Sequence, residues 1–549
     1  MIATRHAVRG LASRRVTPHL AIVTKPASSP LTAGSSRPTV AVIGAGFSGV
    51  LTAVHLLRAP DGPRVLLIER GPRFGRGAAY SSANAGHLLN VRGANMSALP
   101  DAPGHFLEWL GVNQAEGERV FVTRDRYGAY LQSLLREAAG AAAGRLAFEH
   151  DDAVDVARTS GGWSVGLAMG RRVKVDAVVL AIGNLAPPAP EGVSEDVMKS
   201  DRWVADPWAW IETKAAATGD VLLIGSGLTA VDVALSIGES EPNAQILALS
   251  RHGLAPRAHA PIHAVAARRE PPSGSVRKVL RQIRNEARED WRAAIDSLRP
   301  HIQELWRSWS VTERQRFLRH ARPWWEVSRH RLAPEVAADL DRLTAAGLFA
   351  VAGGRLVSLT LAPGGLEAVW RPRGGSALQR RRVGMAINCA GPLSDVERAR
   401  DPLIAGLIRA GLARSDACRL GLDVDLASRL IGADGTVEGL YAVGPLTRGQ
   451  VYEMTSVPDI RIQAADVART LLAELTGRVA GSLADGPDGK TDPLTRALGL
   501  YLSERTAELD VEIQDKSASR RMRSAWELRG RREALDEVAA WLEARKTDA

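Results

Sequence analysis

The stretch TVAVIGAGFSGVLTAVHLLRAPDGPRVLLIER, residues 39–70, decides the fold. Residues 39–43 form an apolar, β-branched run that predicts a buried strand. Val50, Leu51, Val54 and Leu57 recur at helical spacing, and residues 65–70 predict the next strand. This is one strand–turn–helix–strand unit. Its turn carries Gly44, Gly46 and Gly49 in G-x-G-x-x-G spacing. Gly44 permits the tight turn, Gly46 lets the backbone approach a pyrophosphate, and Gly49 lets the helix pack on the strand. The helix start, Phe47 and Ser48, presents free N–H groups and a positive dipole end to phosphates. Glu69 lies 20 residues past Gly49, followed by Arg70. A carboxylate there accepts hydrogen bonds from ribose hydroxyls. The turn, the helix, the second strand and the acid are all in register, so the unit reads as a dinucleotide site rather than a structural glycine turn.

Working outward, the pattern recurs. Residues 221–225 read as a strand, the following segment as a helix, and 244–250 as a strand. The second turn carries Gly225, Ser226, Gly227, Leu228 and Ala230, a G-x-G-x-x-A variant. No acid closes its second strand; Ser250 and Arg251 stand there instead. A carboxylate would repel a 2′-phosphate, whereas arginine pairs with it, which favours NADPH over NADH. The competing reading makes Arg251 a solvated loop residue. Each unit is followed by short runs broken by glycine pairs, a β-meander, and by an apolar return strand, at 175–183 and 383–391. Two sites in one chain imply electron transfer between resident FAD in the first and visiting NADPH in the second, with the hydride chemistry belonging to the cofactors.

The expected fold class is therefore α/β, with two Rossmann-like dinucleotide-binding domains, β-meander crossovers, a helical insert and a helical C-terminal tail. The expected boundaries are an arm over 1–37, a first segment of the FAD domain over 38–200, an NADPH domain over 201–384, a second segment of the FAD domain over 385–480, and a tail over 490–549. At roughly 150 residues per domain, 549 residues accommodate this. Within the insert, 256–345, apolar residues from Val276 to Ile295 step by three or four and predict one amphipathic helix over 276–299, ended or kinked by Pro300. The tail reads as a surface-docked helix or a dimerisation arm.

Composition removes other classes. Only Cys389 and Cys418 occur and there is no CxxC, which excludes a disulfide scaffold, a zinc ribbon and a dithiol redox centre. The net charge of +10 is partly local: residues 1–60 contain no Asp or Glu, and 256–335 hold 17 Lys+Arg against 9 Asp+Glu. That surplus suits anionic small ligands as well as nucleic acid, and no nucleic-acid motif accompanies it. No apolar run approaches a membrane span, and a cytoplasmic protein is expected. The basic first 36 residues read as an extension or a transit-like leader. His252, His259 and His263 are too irregularly spaced to read as metal ligands.

The sequence resembles the two-dinucleotide flavoproteins and, within them, the bacterial YdhS-like FAD/NAD(P)-binding group. The resemblance is carried by GAGFSG with GRGAAY (75–80), HLLNVRGANMSALPDAPGHFLEWL (87–110), LAIGN (180–184), LLIGSGLTAVDVAL (222–235), RHARPWWEVSRHRLAP (319–334) and VPDIRIQA (457–464). It implies bound FAD and a nicotinamide site. It further implies that Gly77, Tyr80, Asn90, Met96 and Ser97 line the flavin, that Gly444 and Pro445 meet it, and that Asp459 lies near it. Some relatives are flavin monooxygenases acting on amines or amino acids. The Baeyer–Villiger signature is absent; MKSDRWVADPW (198–208) stands in its place. The expected function is an NADPH-dependent flavin monooxygenase using molecular oxygen on a small polar, amine-like substrate, anionic or zwitterionic. The alternatives are a flavoprotein reductase serving another acceptor and a non-catalytic flavin-binding interaction protein. Arg322 and Arg331, in a cluster with Trp324 and Trp325, are the candidate substrate contacts; the bland reading is an arginine face on a tryptophan-cored subdomain.

Overall fold

A computed structural model describes residues 37–483 apart from 82, 83, 85, 143, 214 and 261–271. The N-terminal arm, His263 and the 490–549 tail lie outside these residues. The chain divides into units 1–472 and 473–549, and every described strand belongs to the first.

The glycine unit forms as its periodicity predicts. It supplies β1 (Thr39–Ile43), the helix Phe47–Arg58 and β2 (Arg64–Glu69). Next come β3 (Leu146–His150), an antiparallel trio β4 (Ala153–Thr159), β5 (Gly162–Leu167) and β6 (Arg172–Val175), and then β7 (Ala177–Leu180). The second unit holds β8 (Trp203–Val204), β9 (Val221–Ile224), the helix Leu228–Ser240, β10 (Ile246–Ser250), β11 (Phe349–Ala362), β12 (Gly365–Pro372), β13 (Gln379–Val383) and β14 (Met385–Asn388). The chain then returns with β15 (Arg429–Gly432) and β16 (Gly435–Ala442).

Two large sheets result, one of order β15-β16-β7-β1-β2-β3 and one of order β13-β12-β11-β10-β9-β14-β8. In both, parallel pairing runs through the central strands, β1 with β2 and β7, β9 with β10 and β14. Those strands are buried along most of their length, as strands covered on both faces must be. One core gathers Ala41, Ile43, Leu66, Ile68, Val178 and Leu440; a second gathers Val221, Leu223, Val231, Val233 and Ile387.

Three details differ from the sequence expectation. Leu146–His150 pairs parallel with β2, so only β4–β6 form the first meander. Met385–Asn388, expected at the start of the returning segment, pairs parallel with β9 in the second sheet. The expected single helix over 276–299 runs from Val276 to Asp296 and breaks at Asp290 (φ −146°, ψ 104°). There the Asp290 carboxylate accepts the backbone N–H groups of Arg292 and Ala293, starting a new helical segment as an N-cap does.

The insert continues with helices Ile302–Ser308, Val311–His320 and Arg322–Arg329 around Trp306, Trp309 and Phe317. It is fastened to the loop ahead of the last core helix, Val457–Leu483. Trp306 Nε1 donates to the Gly449 carbonyl at 2.9 Å, and Arg329 Nε donates to buried Glu453 at 3.1 Å.

Candidate functional site

At the end of β1 the chain turns through Gly44 at φ +100°, where a Cβ would lie 2.5 Å from the Ala181 carbonyl oxygen. Only glycine fits such a place. The Gly44 N–H donates to the Ile68 carbonyl at 2.8 Å, closing the turn on β2. The helix begins at Phe47 with Gly46 as N-cap and no side-chain cap. The first-turn N–H groups are therefore left to a ligand. A Cβ on Gly46 would meet only the Gly77 Cα, at 3.6 Å, so a phosphate can approach this backbone. At Gly49 a Cβ would lie 1.8 Å from the Gly44 carbonyl oxygen.

Glu69 is fixed at the mouth of the turn. One carboxylate oxygen accepts the Ala45 N–H at 2.7 Å and the other the Gly71 N–H at 2.8 Å. An ionised carboxylate has about four acceptor positions, which leaves room for ribose hydroxyls as well. Gly77, at φ +58°, docks its loop directly on the Gly46 backbone. Tyr80 packs against the rings of Phe47 (6.1 Å) and Tyr127 (4.8 Å), and burial pushes its phenol up to about 12.

From the far end of the chain, Gly444 (φ +84°) arrives beside Ser48, whose hydroxyl would sit 2.4 Å from a Cβ there. Pro445 comes next, opening a short 3-10 turn. These residues, with Gly44, Gly46, Phe47, Gly49, Glu69, Gly77 and Tyr80, form one constellation. Met96 and Ser97 lie on a neighbouring loop, and Asp459 on the last core helix. The Met96 carbonyl accepts from Tyr127 at 3.0 Å, and the Ser97 carbonyl from Arg461 at 2.9 Å. Asp459, in the first turn of Val457–Leu483, accepts from Ser456, and burial raises its carboxyl above the usual range. Asn90 turns its carbonyl to His259 Nε2 at 3.0 Å. Arg70 stands apart, half-exposed and 3.8 Å from both Asp152 and Asp401.

The second cradle repeats the first. Gly225 is at φ +120°, with a would-be Cβ 2.3 Å from the Cys389 carbonyl oxygen. Gly227 is the N-cap of Leu228–Ser240, again without a side-chain cap, and a Cβ there would meet no protein atom within 4 Å. Ser226 Oγ bonds to Ser250 Oγ at 2.8 Å and to the Leu254 carbonyl at 2.5 Å, knitting the turn to the end of β10. Arg251 is exposed beyond it. His252 lies beside Arg251 and Arg373, and its Nδ1 is buried without a hydrogen-bond partner. Burial, and then the charges of Arg373 and Arg251, hold this imidazole below its ordinary range. Both cradles thus fit a dinucleotide: open glycine faces, uncapped helix ends, and a carboxylate at one ribose position against a cationic group at the other.

Residues 41–185 match the profile of an FAD-NAD(P)-binding family. Among solved structures, the ornithine N-hydroxylase of Kutzneria sp. 744, solved with reduced FAD, NADP+ and L-ornithine, has a TM-score of 0.56 at 14% identity, over 79% of this chain and 99% of that one. The fold is that of the two-dinucleotide-binding flavoproteins. L-lysine 6-monooxygenase from Pseudomonas syringae gives a TM-score of 0.55 at 15% identity, over 79% of this chain and 99% of that one. The reduced ornithine hydroxylase of Pseudomonas aeruginosa gives 0.53 at 15%, over 80% and 100%. No curated protein matches the chain by sequence.

The candidate substrate arginines sit in the insert. Arg322 is half-buried and donates to Glu326 at 3.1 Å. Arg331 is 2% exposed. Its guanidinium holds Asp296 through two bonds of 2.9 and 2.8 Å and donates to the Ser328 carbonyl at 2.7 Å. Sequence reading missed Gln463, which accepts the Gly444 N–H at 2.8 Å and donates to Thr447 and Ser428, fixing the strand end at the first cradle. The segment 457–464 contained it, but nothing local distinguishes a buried glutamine from an exposed one. Arg373 was missed because it reaches the second cradle from the end of β12, across the sheet.

Proposed function

We propose that this chain is an FAD- and NADPH-dependent monooxygenase that oxygenates a small amine or amino-acid-like substrate. The observation that carries this reading is the pair of open, uncapped glycine cradles in one chain, distinguished by Glu69 at the first and Ser250-Arg251 at the second. The amine-hydroxylating enzymes of like fold support the reaction class. The finer placement, in the YdhS-like group, rests on the segments 87–110 and 319–334.

FAD, when bound, would accept a hydride from NADPH and activate molecular oxygen. The protein's role is binding, orientation and exclusion of water. Backbone N–H groups at Phe47 and Ser48 would hold the flavin's pyrophosphate, and Glu69 would accept its ribose hydroxyls. Gly77, Tyr80, Met96, Ser97, Gly444, Pro445 and Asp459 would shape the rest of the pocket. Ser226, Gly227 and Leu228 would offer backbone to the NADPH pyrophosphate, with Arg251, flanked by Arg373, on its 2′-phosphate. Both candidate substrate arginines are ion-paired within the insert, Arg331 buried against Asp296 and Arg322 half-buried against Glu326, so Arg322 is the more exposed of the two.

The test is direct. The purified, FAD-loaded protein should be bleached anaerobically by NADPH. In air, one of a panel of amines and amino acids should raise NADPH consumption and gain the mass of one oxygen atom. Bleaching without an oxygenated product from any panel member would favour a reductase, and failure to bind FAD would end the proposal.

A further inference from the structure

The insert lines a half-open cavity of about 420 Å³ that shares no lining residue with either glycine cradle. Its walls are Ile283, Ala287, Trp291, Trp306, Trp309 and Trp325, and Tyr452 closes one side. Protein interiors pack with few voids larger than a water molecule. A cavity of this size, walled by indoles and alkyl groups, has the dimensions and character of a ligand pocket. Two of the indoles are locked in place: Trp306 Nε1 donates to Gly449 and Trp309 Nε1 to Gly274, each at 2.9 Å. With their N–H groups bound to backbone, they turn apolar faces to the cavity.

The charged groups of the lining are all basic. Arg257, Arg284 and His320 are exposed and line the cavity, and no Asp or Glu does so among the described residues. The Arg257 guanidinium lies 4.7 Å from the centroid of the Trp291 ring, which orients it across that wall. Exposed Trp324 stands beside this fringe. An apolar interior with a cationic fringe selects a molecule with an apolar body and an anionic head; a free amino acid would leave the interior unfilled.

We propose that the insert binds a single-chain amphiphilic carboxylate of the fatty-acid class, its chain among the tryptophans and its head group at Arg257, Arg284 and His320. This site is independent of the oxygenation reading. It would hold whether the flavin reduces oxygen, another acceptor, or nothing.

The experiment uses the full-length, FAD-loaded protein without NADPH. Calorimetric titration with dodecanoate should show saturable one-to-one binding, and dodecyltrimethylammonium should bind much more weakly. A bromine-tipped undecanoate should quench tryptophan emission, because the heavy atom lies among the indoles. Arg257→Glu with Arg284→Glu, both exposed positions, should weaken dodecanoate by about tenfold or more, the equivalent of one lost charge-assisted hydrogen bond. Ala287→Phe, which fills the cavity, should abolish quenching. The proposal is overturned if dodecanoate does not bind saturably, if the ammonium binds equally well, or if the charge-reversed protein binds dodecanoate unchanged. FAD content and NADPH bleaching, measured on the same samples, report separately on the redox reading.

Discussion

The two cradles of this protein are nearly one backbone. Gly44 and Gly225 turn at φ +100° and +120°, and each N–H donates across to the neighbouring strand at 2.8 Å. Gly46 and Gly227 cap their helices at φ −76°, ψ −163° and φ −80°, ψ −169°. What differs is the surroundings. The first cradle is flanked by the Gly77 loop and by Gly444, while at the second a Cβ on Gly227 would meet no protein atom within 4 Å. The strand after the first ends in an acid with both oxygens engaged; the strand after the second ends in a serine, with an arginine beyond it. The backbone is shared, and the side chains at the next strand end are what tell the two cradles apart. Flanking loops at the first cradle and their absence beside Gly227 at the second accord with the proposed resident and visiting cofactors.

The third motif position breaks the comparison most severely. Gly49 has no room for a methyl group, whereas the second cradle already carries Ala230, fully buried, at the matching place. Gly49→Ala should destabilise the protein by about 3 kcal/mol, the upper end of ordinary overpacking, with loss of retained FAD. Ala230→Gly should cost only about 1 kcal/mol, the helix penalty of glycine. Urea unfolding of the two variants measures the contrast, and equal effects would refute it.

Gly227→Ala sharpens the comparison from the other side. The protein has space for this Cβ and its backbone angles suit any residue, so stability should stay within about 0.5 kcal/mol of the parent. NADPH affinity should nevertheless fall by about a hundredfold, because the methyl group occupies the line of pyrophosphate approach. Normal NADPH titration of this variant would show that the open face is not the nucleotide's.

A smaller effect is expected at Arg251. Arg251→Ala should raise the KM for NADPH by about tenfold and leave that for NADH unchanged, since only the 2′-phosphate contact is removed. Steady-state kinetics with both cofactors decides it. A residual preference for NADPH would be assigned to Arg373, which a second substitution checks.

The smallest effect concerns acid stability. Burial first, and then the Arg58 charge, lower His55 in the first cradle's helix from 6.5 to about 4. Burial likewise lowers His259, at the insert's contact with Asn90, from 6.5 to about 4. Between those values the unfolded chain binds protons that the folded chain refuses. The stability these neutral histidines allow is therefore present above pH 6.5 and lost as pH falls toward 4. His55→Gln should flatten that decline by on the order of 1–2 kcal/mol, read from unfolding midpoints across this range.

Much of this was legible from short segments. The run from Thr39 to Glu69 contains its own strand period, its forced glycines and its acid, so local physics sufficed for the first cradle. The Asp290 break was not legible, because aspartate within an amphipathic pattern reads as one more exposed polar residue until its carboxylate is seen to cap the next helical turn. Nor was Arg331, where the sequence offers a charge and only burial against Asp296 shows it already engaged within the insert.

By itself the sequence determined that there are two glycine-turn units, which of them is followed by an acid and which by an arginine, and that the chain carries no CxxC dithiol. Those are properties of neighbouring residues, set by backbone sterics and by the charge of one side chain. The tertiary structure alone decided that Gly444 closes on Ser48, that Arg373 joins Arg251, and that the insert's tryptophans leave a space between them. Each of these depends on which distant strands and helices pair, and no local periodicity carries that information.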